Sequence, residues 1–145
     1  MRVLDENGNV EFEELDRDEC LQLLGWESLG RLATCAGDGA PEVVPINFVL
    51  DGGTVVFRGE PRRAAHLIDH PASFEVDRFD QFRKLGWSVL LSGTVVAVPD
   101  ADANETVVDA WAPGDRRVLM RLVPERITGR RIAQRPMYLS DLGYL

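Results

Sequence analysis

The chain reads as a mainly β protein, a closed or partly closed antiparallel barrel with short flanking helices. Six or seven short β-rich runs recur along its 145 residues, separated by Gly, Asp and Pro turns. Early hairpins are followed by a helical crossover, which fits a Greek-key barrel better than a parallel βαβ sheet. In addition, no G-x-G-x-x-G follows a strand, which argues against a dinucleotide-binding Rossmann unit.

Residues 1–15 form a loose acidic lead-in. Asp16 followed by Glu19 has capping-box spacing, and Cys20, Leu21, Leu23 and Leu24 predict a short helix ending near Gly25. Strands are expected near 30–36, 42–50 and 54–58, with Gly37-Asp38-Gly39 and Asp51-Gly52-Gly53 as hairpin turns. A second helix over 61–69 stops at His70-Pro71, because a residue before proline disfavours helical geometry. Strands over 72–77 and 87–98 follow, joined by a charged loop at 78–86, with Gly93 as a bend or bulge. Residues 100–110 suit a short helix. Two β-like runs, 117–123 and 125–133, complete one domain over 16–135, and 136–145 is a tail.

The composition, 45% hydrophobic and 28% charged, is that of a folded domain. No apolar run reaches membrane-span length, and the acidic N-terminus lacks the pattern of a signal peptide. A cytoplasmic protein with no membrane partner is expected. Cys20 and Cys35 lack metal-ligand spacing and read as reduced thiols. A net charge of −8 argues against a nucleic-acid partner. The charge is uneven. Residues 1–20 hold eight acidic side chains and two arginines, whereas 116–135 hold seven arginines and one glutamate, Glu125. That basic strip can face an anionic ligand or the acidic N-terminal region.

Residues 29–63 are the most telling stretch. Its last strand ends in Arg58, and Pro61 opens a helix whose first turn carries Arg62 and Arg63. Cations there oppose the helix dipole unless an anion joins them, and free N–H groups gather at the same place. Arg58, Arg62 and Arg63 therefore mark a candidate site for a phosphate monoester. The alternative is solvated charge, with Arg62 and Arg63 paired to Glu60 or Asp69. His66 and His70 have ligand spacing on a helix, but no third ligand stands out and no metal site is assigned. No nucleophile–base constellation appears, so no catalytic side chain is assigned either.

From Asp16 onward, the ordered segments LDRDECLQLL, GRLAT, PEVVPINFVLDGGTVVFR, ASFEVDRFD, GWSVLLSGTV, WAPG and ITGRRI resemble the pyridoxamine 5′-phosphate oxidase-like family. The resemblance implies a six-stranded split barrel, FMN as cofactor, and a homodimer with two flavins in clefts between the subunits. It implies that the strand carrying Asn47, Phe48 and Val49 lines the isoalloxazine ring with backbone groups, Asn47 being the polar side chain within reach. Trp87 and Ser88 would lie beside the flavin, although a tryptophan there also suits barrel packing. Trp111 is either a helix-end anchor or a lid over the partner subunit's flavin. Where many relatives carry a small hydroxyl residue and a lysine, this chain has Arg62 and Arg63, whose guanidinium groups can grip phosphate bidentately.

The implied activity is flavin-dependent oxidoreduction of a small-molecule substrate, in two half-reactions at the flavin N5. One alternative is an F420-dependent reductase of the same fold, since the acidic tail of that deazaflavin suits extra arginine. A non-catalytic flavin- or haem-binding protein is another, and a ligand-free interaction module a third. If a flavin does the chemistry, the protein holds the ring, excludes water and tunes it by hydrogen bonds and charge.

Overall fold

The computed structural model describes residues 2–4, 6, 10–35, 38–99 and 108–134. Its elements in chain order are β1 (Arg2–Leu4), β2 (Val10–Leu15), α1 (Arg17–Leu24), β3 (Leu29–Cys35), β4 (Pro41–Asn47), β5 (Val49–Asp51), β6 (Thr54–Gly59), α2 (Pro61–Leu67), β7 (Pro71–Asp80), β8 (Leu85–Ala97) and β9 (Val118–Gln134). All strand pairs are antiparallel. β9 is central: one edge pairs with β8, and the other pairs first with β6 and then with β2. Six strands in the order β6-β9-β8-β7-β3-β4 make the curled wall. Among the described residues no ladder joins β4 to β6, and the wall is open there. This is the expected antiparallel split barrel, with β1, β2 and β5 added to its frame.

Strand alternation sends Leu32, Phe74, Leu91, Val95, Met120 and Leu122 inward, each 1% exposed or less. Cys20 and Leu24 of α1 and Ala64 and Leu67 of α2 complete the same cluster. Burying each leucine contributes roughly 1.5–3 kcal/mol, and the smaller Cys20 and Ala64 less, which helps hold two short helices on the sheet. No helix among the described residues is long and apolar enough to cross a membrane.

Local chemistry sets several boundaries. The Asp16 carboxylate accepts from the Glu19 N–H at 2.8 Å, and the Asp16 N–H donates back to the Glu19 carboxylate at 3.1 Å, the reciprocal box that starts α1. Gly52 and Gly53 both have positive φ, 56° and 78°, as a two-residue hairpin turn between β5 and β6 requires. Ile68 leaves helical geometry at ψ 134° and Asp69 follows at φ 68°, so α2 stops two residues sooner than the sequence predicts.

Other boundaries differ because pairing overrides composition. Part of the expected loose lead-in is strand: β2 pairs with the end of β9, opposing Glu13 to Arg131 and Glu14 to Arg130. The expected 42–50 strand is broken at Phe48, whose N–H turns aside to the Ser28 carbonyl at 3.1 Å. The charged 78–86 segment is mostly ladder, with Arg78 opposite Trp87 and Asp80 opposite Leu85. The runs 117–123 and 125–133 are one strand: the bulge at Gly93 places it opposite Pro124 and skips Glu125, so β9 passes through a proline unbroken. Residues 100–107 of the expected third helix lie outside the described residues, as does the 136–145 tail, and 108–110 are not helical.

Candidate functional site

The ladder between β6 and β9 brings Arg58 opposite Leu119, just after the loop that carries Arg116. α2 starts three residues beyond Arg58, so its first turn swings Arg63 over the same place. Arg58, Arg63 and Arg116 thus line one cavity of about 190 Å³, with Val44, Ile46 and Phe57 among its apolar walls. A second cavity of about 220 Å³ lies against it, lined by Glu60, Arg62, Arg63, His66 and Arg116. Arg63 and Arg116 belong to both.

The electrostatics are unbalanced. Arg116 Nε is buried without a hydrogen-bond partner. Leaving such a donor unsatisfied costs about 1–3 kcal/mol, and more for a charged group. Arg58, Arg62 and Arg116 form no ion pair among the described residues. Arg63 donates to Glu42 at 3.1 Å, not to Glu60 or Asp69 as the solvated-charge alternative supposes. Apolar walls lower the local dielectric and strengthen the attraction of this cluster for an anion.

β4 leads from this cluster to a third cavity. Pro45 borders both the 190 Å³ cavity and one of about 310 Å³ that is lined by Ser28, Arg31, Asp77, Arg78 and Trp111. Asn47 ties the rim of that space together: its Nδ2 donates to the Ser28 carbonyl at 3.2 Å, and its Oδ1 accepts from the Trp111 N–H at 2.9 Å. Trp111 itself is 63% exposed. Beside it, Arg31 bridges Glu75 and Asp77 at 3.3 and 3.1 Å, and Arg78 holds Glu27 through two bonds of 2.8 and 2.9 Å. Burial, then the neighbouring Asp77, raises the Glu75 carboxyl to about 7, with Arg31 opposing the shift.

The other expected ligand residues are placed differently. Phe48 is 2% exposed, packs edge-on against Phe74 with ring centres 4.8 Å apart, and lines none of these cavities. Val49 pairs with Val56 inside the β5–β6 hairpin. Trp87 packs against the main core, and Ser88 lies between Asp77 and Arg130 on neighbouring strands; neither lines these cavities. His66 borders the second arginine cavity, and no cluster of three metal-ligating groups occurs among the described residues. Arg116 is the member that motif reading missed. Its signal was the C-terminal basic strip, which the fold divides: Arg116 goes to the cavities, Arg121 to Asp51 at 3.1 Å, and Arg131 to Glu13 at 3.9 Å.

Known proteins share this architecture. A solved FAD-binding protein from Mycobacterium smegmatis is 31% identical, covers 83% of this chain and 97% of its own, and superposes with a TM-score of 0.66. A solved FAD-binding protein from Mesorhizobium loti is 25% identical, with 83% and 97% covered and a TM-score of 0.68. An uncharacterized protein of Mycobacterium tuberculosis is 26% identical over 132 residues, 84% of this chain and 86% of that one. The family model described as pyridoxamine 5′-phosphate oxidase matches residues 16–131, from the α1 cap through most of β9. Both helices, five of the wall strands, most of β9 and the arginine cluster fall within that match, and the chain belongs to the pyridoxamine 5′-phosphate oxidase-like family.

Proposed function

We propose that this protein binds a flavin nucleotide, FMN in the first instance, and acts as a homodimeric oxidoreductase on a small molecule. The observation that carries the reading is the buried, unpartnered Arg116 Nε in a cavity that Arg58 and Arg63 also line. Three guanidinium groups around 190 Å³ fit a phosphate dianion, which supplies the acceptor atoms that Arg116 lacks. β4 then directs the rest of the ligand past Pro45 toward Asn47 and Trp111. Bound flavin supplies two-electron chemistry. The chain's own groups anchor the phosphate, position the ring along the 45–47 segment, and shield it with Trp111.

A second reading has its own support. The adjoining 220 Å³ cavity carries Arg62 and His66, room and charge for a second phosphate, and the two solved relatives above are FAD-binding proteins. F420, with its longer acidic tail, is the remaining alternative. Mass spectrometry and absorbance of what co-purifies separate the three. The anchoring role is tested by Arg63→Ala: FMN affinity should fall about ten- to a hundredfold, while riboflavin, which lacks the phosphate, is unaffected. Equal losses for the two ligands would return the cluster to surface charge.

A further inference from the structure

Arg63 occupies a junction. Besides the two arginine cavities it lines a larger one, about 580 Å³, with Thr34, Cys35, Glu42 and His70. Among the four arginines of the cluster, it alone has a carboxylate partner among the described residues, Glu42. Glu42 stands on β4 opposite Thr34, between two prolines of that strand, so its position is fixed by the sheet rather than by α2. The bridge is a single bond between half-exposed groups, 37% and 51%. It therefore adds little to stability. By contrast, Arg78 gives both arms of its fork to Glu27. Arg63 gives one nitrogen to Glu42 and keeps the rest of its five donors for the cavities it lines.

We propose that Glu42 is a positioning residue for the anion site: it holds Arg63 across the gap between β4 and α2 so that the free side of the guanidinium faces the phosphate. This rests on the flavin-phosphate reading above. A long arginine fixed in advance loses less freedom when the anion arrives, and the benefit appears as affinity for the phosphorylated ligand alone.

The test compares FMN and riboflavin binding for the wild type, Glu42→Ala, Glu42→Gln, Arg63→Ala and the Glu42→Ala/Arg63→Ala double variant. Glu42→Ala should weaken FMN about three- to fivefold and leave riboflavin unchanged. Glu42→Gln, which keeps an acceptor carbonyl at the same reach, should restore most of that loss. In the Arg63→Ala background, Glu42→Ala should have no further effect. Tighter FMN binding in both Glu42 variants would overturn the proposal, since Glu42 would then compete with the phosphate. Undiminished losses without Arg63, or no loss at all, would overturn it too. If Arg63→Ala itself leaves the preference for FMN over riboflavin intact, the flavin-phosphate reading fails and takes Glu42 with it. If Arg63→Ala abolishes that preference while Glu42→Ala does nothing, only the role of Glu42 fails.

Discussion

Glu75 and the two tryptophans show how far single residues depend on their surroundings. Glu75 sits directly across from Arg31 on β3, yet its carboxyl is raised from 4.5 to about 7, because burial and the adjacent Asp77 outweigh the guanidinium. The folded state thus keeps a proton that the unfolded chain releases above 4.5. Stability from this group is complete below 4.5 and is lost as pH rises through about 7. Thermal melts should show the wild type losing more melting temperature than Glu75→Gln as pH rises across that window. Parallel curves would assign the response to other groups. The tryptophans divide by exposure: Trp111 borders the 310 Å³ cavity, while Trp87 packs on the core. Indole close to a flavin quenches its emission. Trp111→Phe should therefore brighten bound flavin, and Trp87→Phe should leave emission unchanged while lowering the melting temperature. The opposite pattern would move the ring toward β8.

At the scale of elements, β9 depends on one irregularity. Proline lacks the N–H that a central strand needs, and the bulge between Ser92 and Gly93 lets β8 accommodate Pro124 without ending the ladder. Gly93 is required there for space: a Cβ would land on the carbonyl of Val123 in the facing strand. Backbone cannot swing aside as a side chain can. Gly93→Ala should therefore destabilise by about 1–3 kcal/mol or more, read as a lower denaturant midpoint. A midpoint within error of the wild type would mean the strands separate freely at the bulge. The same element shows which parts of the fold were legible. Gly93 could be read as a bulge because a glycine within a β run is a local anomaly. The continuity of β9 could not, because it depends on β8 and lies in no window around Pro124.

For the whole molecule, the outer face of the wall has apolar side chains exposed among the described residues. Leu29, Val43 and Leu90 lie on that face, 44%, 61% and 43% exposed, around Arg31 and Glu75. Pairing of two copies through this face would bury it, and stable homodimers of this size class cover on the order of 2,000 Å² or more. Sedimentation should show a dimer at micromolar concentration, and Leu90→Arg should shift it to monomer with loss of bound flavin. A wild-type monomer under those conditions would remove both the interface and any cleft between subunits. The sequence by itself determined the antiparallel β class, the α1 capping box, the β5–β6 turn, the helix that halts before Pro71, and the candidacy of Arg58, Arg62 and Arg63. Each of these depends on neighbours a few positions apart, through backbone geometry or side-chain-to-backbone hydrogen bonds. Tertiary structure alone decided that β2 is a strand, that Phe48 is core, that Asn47 ties Ser28 to Trp111, and that Arg116 joins Arg58 and Arg63. The physical reason is the same in each case. These contacts join residues far apart along the chain, and their free energy exists only once those distant segments have come together.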